Sequence, residues 1–333
     1  MPVIKESSYK SPLIYQNPHL GTIIPSLLRR RAKVNYNRER ITTPDDDFLD
    51  LDWSKMNSKE LAIVCHGLEG SSQSHYINHA VKSLNLSGVD ALALNYRDCS
   101  GEPNNLVKSY HSGKTEDLAL LIDHVQTNYD SIYLIGFSIG GNLVLKYLGQ
   151  QGSLVLSKIK LGITFAVPLC LEACANELAK PENAIYMKYF LYKLHRKIKM
   201  KIKKFPGLVD DQNFPKIKSF YDYDRTYTAP LNGFKDEYDY WDKASCKKYL
   251  DDIKVPSFII NSLDDPFLAG DCYPVQSAIK NDNIFLETPA HGGHMGFASW
   301  GDVYWWQDRM IEIITLVRSS GDKHLEALVS SSS

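Results

Sequence analysis

The most informative segment of this chain is residues 131–149, which read SIYLIGFSIGGNLVLKYLG. It begins as a mostly apolar run typical of a buried strand and continues, after a group of glycines, as a helical pattern. The two parts meet at Gly136-Phe137-Ser138-Ile139-Gly140, a G-x-S-x-G sequence. Between a strand and a helix, this motif forms a sharp turn that exposes the serine hydroxyl above the sheet. A glycine-rich turn with an incidental serine is the competing interpretation, but the setting favours a nucleophile at Ser138.

The rest of the chain repeats this alternation of strand and helix. Such a pattern is typical of an α/β fold with a mostly parallel central sheet and helices on both faces. Helical patterns lie near residues 75–87, 114–128, 139–150 and 302–318. The predicted strands are residues 61–65, 90–96, 131–137, 160–167, 256–261 and 283–287.

One long stretch, residues 168–254, departs from the alternation. It holds a lysine-rich segment followed by a segment rich in Tyr and Asp, and it lies between two predicted strands of the sheet. We therefore expect it to form a helical cap, or lid, over the strand ends. Residues 1–60 are expected to be an N-terminal arm with a first pair of strands, within the same α/β domain. The α/β core is then residues 61–167 and 255–325.

A serine hydroxyl is a poor nucleophile until a base takes its proton, and this fold supplies an acid and then a histidine along the chain. The acid is expected at Asp264 or Asp265, which follow a predicted strand and precede a proline. The base is expected at His291 or His294, in the glycine-rich loop after the next strand. Such carboxylates can also merely cap a turn, and close histidines can bind a metal. Because no further ligand cluster has zinc-site spacing, we expect no metal and no other cofactor.

Attack of a serine on a carbonyl group places negative charge on oxygen, which two backbone N–H groups have to stabilise in an oxyanion hole. One donor is expected from Ile139, directly after the serine. The other is expected from the loop after the first buried strand, residues 65–70, which read CHGLEG. We assign it to Leu68 because the glycines of this loop let its backbone turn inward. His66 is interpreted as a scaffold residue of the loop.

The composition excludes other classes of function. The 333 residues carry 38 Lys and Arg against 39 Asp and Glu, a net charge of −1, so no overall field attracts nucleic acid. The six cysteines include no C-x-x-C pair and are interpreted as reduced thiols. No signal peptide is recognised, and the longest mostly apolar run, residues 161–171, is too short to span a membrane. These features predict a cytoplasmic protein without a transmembrane segment.

Taken together, the motifs resemble the α/β-hydrolases and, within them, the YheT-like branch (AB-hydrolase superfamily 4) of carboxylesterases. The resemblance covers nearly the whole chain. It implies that Ser138 is the nucleophile, His294 the base and Asp265 the acid that orients it. Asp264 and His291 are then neighbours that shape their loops. The matching segments are 17–20 (NPHL), 25–30 (PSLLRR), 47–53 (DFLDLDW), 66–72 (HGLEGSS), 95–104 (NYRDCSGEPN), 136–138 (GFS), 228–230 (TAP), 233–234 (GF), 264–267 (DDPF) and 291–297 (HGGHMGF).

Two features depart from what this resemblance leads us to expect. Gly21 stands where a larger polar residue is expected. The basic segment 188–204 is longer and more basic than the resemblance leads us to expect. Within that segment, apolar residues recur at helical spacing among lysines. Such a helix either packs its apolar face on the core with its lysines in water, or lies on an anionic membrane. We expect the first arrangement and keep peripheral membrane contact as the alternative.

The sequence thus predicts a serine hydrolase that cleaves carboxylic esters, with short- to medium-chain acyl or lipid-like substrates, through an acyl-enzyme on Ser138. Its predicted partner is a small-molecule ester, and no nucleic acid is expected. An acyltransferase or ester synthase would resolve the same acyl-enzyme with an alcohol, and no sequence feature separates the two. A non-catalytic binding protein on the same fold is the third hypothesis. The joint presence of Ser138, Asp265 and His294 argues against it.

Overall fold

The computed structural model of the protein describes residues 3–4, 6–301 and 303–320. The limit of the core that we expect at residue 325 lies outside the described residues. The strands are β1 (Val3–Ile4), β2 (Asn37–Thr42), β3 (Phe48–Ser54), β4 (Glu60–Cys65), β5 (Asp90–Asn95), β6 (Ser131–Phe137), β7 (Ile159–Phe165), β8 (Ser257–Ile260) and β9 (Ile284–Glu287). The α-helices are α1 (Pro18–Leu28), α2 (His75–Leu86), α3 (Thr115–Val125), α4 (Ile139–Gln151), α5 (Leu171–Leu178), α6 (Ala184–Lys204), α7 (Phe220–Tyr223), α8 (Ala229–Asn232), α9 (Glu237–Ala244), α10 (Val275–Lys280) and α11 (Trp305–Ser320).

In the described residues the strands form one mostly parallel sheet, in the order β1-β9-β8-β7-β6-β4-β5-β3-β2. Among the strand pairs of the described ranges, β2–β3 and β3–β5 are antiparallel and the others are parallel. Helices α2 and α11 pack on one face of the sheet, and α3 and α4 pack on the other. The buried strands read as apolar runs because they are covered on both faces. The predicted α/β-hydrolase architecture is confirmed.

Helix α1 was not predicted, and its sequence explains why. It contains Pro18, Gly21 and Pro25, which are poor helix formers. The first proline occupies an N-terminal position that tolerates it. The side chain of Asn17 caps the helix by accepting hydrogen bonds from the N–H groups of His19 and Leu20, both at 3.0 Å. Local capping and packing against the sheet domain therefore outweigh the low intrinsic helix propensity.

Residues 168–254 leave the sheet after β7 and return to it at β8, and we call them the β7–β8 insertion. They contain helices and no strand. Two apolar clusters of their own hold them together, one around α6 and one around α9. Across the described residues, no helix combines the length and apolar character needed to cross a bilayer.

Candidate active site

Ser138 lies in the turn between β6 and α4, at the edge where the parallel strands end. Its backbone adopts φ 54° and ψ −123°, a strained conformation for a residue with a side chain. The two flanking glycines make this turn feasible. A Cβ on Gly136 would lie 2.4 Å from the carbonyl oxygen of Gly140, and a Cβ on Gly140 would lie 2.3 Å from that of Cys65. The G-x-S-x-G pattern therefore follows from backbone crowding around Ser138.

The structure brings Ser138, His294 and Asp265 together from three separate loops. Ser138 Oγ lies 3.1 Å from His294 Nε2, and Nδ1 of the same ring lies 2.8 Å from Asp265 Oδ2. The Asp265 side chain is fully buried, and its other oxygen accepts a hydrogen bond from the N–H of Phe267 at 2.8 Å. The carboxylate thus accepts a hydrogen bond from Nδ1–H of His294, which leaves Nε2 as an acceptor facing the serine.

Asp264 and His291 form a second pair beside the first. Asp264 Oδ1 accepts a hydrogen bond from the N–H of Gly293 at 2.9 Å, and its Oδ2 lies 3.3 Å from His291 Nδ1. Both residues therefore support the loop that carries His294. Within the part of the chain that the structure covers, no group of three or more His, Cys, Asp or Glu side chains is arranged to hold a metal ion.

In the loop after β4, the described residues offer no hydrogen-bond acceptor to the N–H of Leu68, although they do to three of its neighbours. The N–H groups of Gly67 and Glu69 donate to tyrosine hydroxyls at 2.8 and 2.9 Å, and that of Gly70 donates to the oxygen of Gly67 at 3.0 Å. Among the described residues, the N–H of Leu68 has no such partner. The N–H of Ile139 lies in the first turn of α4, where the helix itself supplies no acceptor. Both residues line the cavity beside the serine.

This cavity extends from Ser138 and His294 beneath the β7–β8 insertion. It leaves about 120 Å³ open to the centres of water-sized molecules. A cavity needs only about 10–15 Å³ by the same measure to hold one water. The site therefore has room for an acyl chain. Apolar side chains of the insertion line much of it, among them Leu171, Leu178, Phe190, Leu194, Phe220 and Leu231.

Comparison with known proteins places these features in a family. Residues 62–299 match the family described as the alpha/beta hydrolase fold. The chain belongs to that family. It is 31% identical over 291 residues to a protein named "Putative esterase YheT" from Escherichia coli K12, a match that covers 85% of each chain. It is 29% identical to the mouse protein named phospholipase ABHD3, with 89% of this chain and 74% of that protein covered.

Among solved structures, the esterase Pf2001 of Pyrococcus furiosus shares the fold of this hydrolase. The TM-score is 0.55 at 19% identity, and the match covers 86% of this chain and 97% of the other. At such low identity the likeness concerns the fold alone. The predicted fold and family are confirmed. The names of the relatives also support the predicted enzyme class, a carboxylic ester hydrolase.

In this hydrolase, His66 sets the direction of the Leu68 N–H. The buried His66 ring accepts a hydrogen bond at Nε2 from the N–H of Tyr96 at 3.3 Å, so its proton is on Nδ1, which donates to the oxygen of Gly67 at 2.7 Å. That oxygen and the Leu68 N–H belong to one trans peptide group and point in opposite directions. Burial lowers the pKa of His66 to about 3, which keeps the ring neutral. The geometry agrees with the scaffold interpretation of this histidine.

Two residues that hold His294 were missed by the sequence analysis. The hydroxyl of Thr22 in α1 accepts a hydrogen bond from the His294 backbone N–H at 2.9 Å, and the Phe267 ring centroid lies 4.1 Å from that of the imidazole. The glycine at position 21 is explained by crowding next to Thr22, because a Cβ there would lie 2.8 Å from the carbonyl oxygen of Tyr15. No local signal links Thr22 or Phe267 to the histidine. Phe267 does lie within the matching segment 264–267, and segment 17–20 ends two residues before Thr22.

The lysines of α6 also depart from expectation. Lys193 Nζ donates to the backbone oxygen of Glu69 at 2.8 Å, and Lys197 Nζ lies 2.7 Å from its carboxylate. Lys201 Nζ lies 2.8 Å from the buried Asp98 carboxylate. The expectation that the lysines of the basic segment lie in water is therefore wrong for these three. Their spacing of four residues, which places them on one helix face, is the signal that could have revealed it.

Proposed function

We propose that the protein is a serine hydrolase that cleaves carboxylic esters through an acyl-enzyme on Ser138. One observation carries the proposal. A continuous line of hydrogen bonds runs from Ser138 Oγ to His294 Nε2, at 3.1 Å, and from His294 Nδ1 to Asp265 Oδ2, at 2.8 Å. Ser138 and His294 also line a largely apolar cavity. A nucleophile, a base and an orienting acid in this order form the constellation that acyl transfer requires.

In the first step, Ser138 Oγ attacks the ester carbonyl carbon while His294 Nε2 takes the hydroxyl proton. Asp265 holds the imidazole in the required tautomer and stabilises the imidazolium. Negative charge develops on the carbonyl oxygen, and the N–H groups of Leu68 and Ile139 are assigned to stabilise it. His294 then gives the proton to the departing alcohol, and the acyl group remains on the serine.

In the second step, water attacks the acyl-enzyme and His294 again acts as the base. The proton returns to Ser138 Oγ as the carboxylic acid departs. Each proton in this cycle moves through His294 Nε2. The protein contributes side chains that react and backbone N–H groups that stabilise the oxyanion, and water is the second nucleophile. Removing any member of the relay is therefore expected to abolish most of the activity.

The β7–β8 insertion is proposed as the cap that selects the acyl group. Its apolar side chains line much of the cavity, and its lysines join it to the loop that carries Leu68. The names of two relatives, a mouse phospholipase and a yeast monoacylglycerol lipase, agree with a lipid-like substrate. We therefore propose esters with a medium-chain or lipid-like acyl group. The cytoplasmic location expected from the sequence stays a prediction.

The proposal is tested by intact-mass labelling with a fluorophosphonate, which reacts with activated serines. The wild type and a Ser109→Ala variant, which alters another serine of the cavity, are expected to gain one label. A Ser138→Ala variant is expected to gain none and to lose p-nitrophenyl ester hydrolysis. A series of such esters from acetate to palmitate then measures the acyl preference. Labelling or full turnover of folded Ser138→Ala would show that another residue is the nucleophile.

A further inference from the structure

Helix α1 carries an apolar stripe that faces solvent. Its buried residues are Gly21, Thr22 and Pro25, which face the sheet domain. Leu27 and Leu28, near its C-terminal end, are each 74% exposed. A helix of a globular protein normally has one apolar face, and that face is buried. The second stripe has the spacing i, i+4, i+7 and i+8 and consists of Leu20, Ile24, Leu27 and Leu28.

Further exposed apolar residues extend this stripe. Leu13, just before α1, is 84% exposed. Trp300 is 78% exposed, and its ring centroid lies 6.3 Å from that of Tyr15. Clusters of exposed apolar residues of this kind mark surfaces that bind a partner or a membrane. The arm surface, as we name it, consists of Leu13, Ile14, Leu20, Leu27, Leu28 and Trp300.

The charged side chains of residues 7–38, the segment that contributes every arm-surface residue except Trp300, are all basic. No Asp or Glu occurs between residues 7 and 38, although Lys and Arg are frequent there. Arg30, Arg31 and Lys33 follow α1 and are exposed, and none of the three forms an ion pair with another described residue. Basic side chains beside exposed apolar ones are complementary to an anionic lipid surface. A second copy of the chain would instead bring like charges together at a twofold interface.

The arm surface lies at the same edge of the sheet as the candidate active site. Thr22, on the buried side of α1, holds the backbone of His294. The side chain of His19 joins α1 to the insertion, because its Nδ1 lies 3.1 Å from the hydroxyl of Tyr186 in α6. Helix α11 ends at the opposite edge, where Arg318 donates to the oxygen of Ser87 at 3.1 Å. Docking through α1 would therefore bring the active-site edge toward the bilayer.

We propose that the arm surface docks on an anionic lipid bilayer and presents the active site to esters held in it. The apolar side chains enter the interface, and Arg30, Arg31 and Lys33 bind lipid phosphates and carboxylates. The docking step rests on the arm alone. The delivery of an ester to Ser138 rests on the proposed function.

Flotation with vesicles tests the docking step, using phosphatidylcholine alone or mixed with phosphatidylserine. The wild type is expected to float with the mixed vesicles. A Leu27→Ser/Leu28→Ser variant and an Arg30→Gln/Arg31→Gln variant are each expected to bind the mixed vesicles at least about tenfold more weakly than the wild type. The matched control is Leu86→Ser/Leu154→Ser, which alters two equally exposed leucines before β5 and β7, at the opposite edge. It is expected to bind like the wild type.

The activity of the same variants separates docking from catalysis. Hydrolysis of a soluble p-nitrophenyl ester is expected to be unchanged in Leu27→Ser/Leu28→Ser, and hydrolysis of an ester carried in mixed vesicles is expected to fall with vesicle binding. The docking proposal is overturned if the wild type does not bind mixed vesicles, or if the leucine variant binds them equally well. It is also overturned if sedimentation shows a dimer that the leucine variant breaks. Vesicle binding without any ester turnover would contradict the proposed function and leave docking supported.

Discussion

The edge that carries the candidate active site and the β7–β8 insertion above it are held by different forces. At the edge, backbone atoms approach so closely at Gly136 and Gly140 that no residue with a side chain fits there. In the insertion, apolar clusters and buried ion pairs such as Lys197–Glu69 hold helices that carry no reacting group. Under the proposed function, this difference locates the chemistry and the choice of substrate in separate parts of the molecule. Changes at the edge should alter turnover, whereas changes in the insertion should alter stability and acyl preference.

The two regions meet at Glu69. Lys193 and Lys197 of the insertion bind its backbone oxygen and its carboxylate, and the residue adopts φ 52° beside Leu68. The insertion therefore supports the loop that supplies one proposed oxyanion donor. A change at this contact is therefore expected to affect both the insertion and the loop that carries Leu68.

The largest effect is expected at the edge, from Asp265→Asn. The variant keeps the shape of the side chain but no longer fixes the imidazole tautomer, so kcat should fall by about 10³–10⁴-fold. Asp264→Asn is the matched control, because its amide oxygen can still accept the hydrogen bond from Gly293. Steady-state hydrolysis of a p-nitrophenyl ester measures both. A larger loss in the control than in Asp265→Asn would reverse the assignment of the acid.

The next effect is expected where the two regions meet, from Lys197→Met. Lys197 and Glu69 are both almost fully buried, so the variant leaves a carboxylate without its cation. The free energy of unfolding should fall by about 3–5 kcal/mol, and the double variant Lys197→Met/Glu69→Leu should recover much of it. Denaturant unfolding measures the change. Lys188→Met, at an exposed position of the same helix, serves as the control, and an equal loss there would argue against a role for the buried pair.

A smaller effect is expected inside the insertion, from Leu231→Trp. The larger side chain fills part of the cavity, so kcat/KM for the longest esters should fall by about tenfold while short esters are little affected. The control is Leu208→Trp, at an exposed position of the insertion. The ester series measures both. A uniform loss at all chain lengths would mean that the insertion acts on the chemistry and not on acyl choice.

The smallest effect is a difference in the pH dependence of stability. Burial raises the pKa of Asp224, in the insertion, to about 6. The folded state thus holds this proton more tightly, and the stabilisation present at low pH is lost as the pH rises through 6. Asp224→Asn has no carboxyl group to titrate. Between about pH 5 and pH 7, its free energy of unfolding should therefore rise by about 1 kcal/mol relative to that of the wild type. Urea unfolding at both pH values measures it, and a constant difference between the two proteins would contradict the prediction.

At the edge, the sign of the pH effect is opposite. The pKa of His66 is lowered by burial to about 3, so the unfolded chain binds this proton more readily than the folded one. Its contribution to stability is complete above about pH 6.5 and is lost as the pH falls. The insertion and the edge therefore respond to acid in opposite directions at these two residues.

The sequence by itself determined most of the sheet and the position of Ser138. Strand and helix periodicity, and the crowding that requires Gly136 and Gly140, act over a few neighbouring residues and are therefore visible in a linear sequence. The order of acid and histidine along the chain located two candidates for each. The resemblance to a family favoured Asp265 over Asp264, and its position directly before Pro266 agreed with that choice.

Only the tertiary structure decided which residues support these groups. Thr22 and His294 are 272 residues apart, and Lys193 and Glu69 are 124 apart, so no local pattern joins them. The lysines of α6 look like a solvated face because charge favours water. Glu69 and Asp98, supplied by distant loops, reverse that preference for three of them by providing buried partners. Local rules set the elements and the turn that carries Ser138, and long-range packing set the support of the candidate site and the cavity beside it.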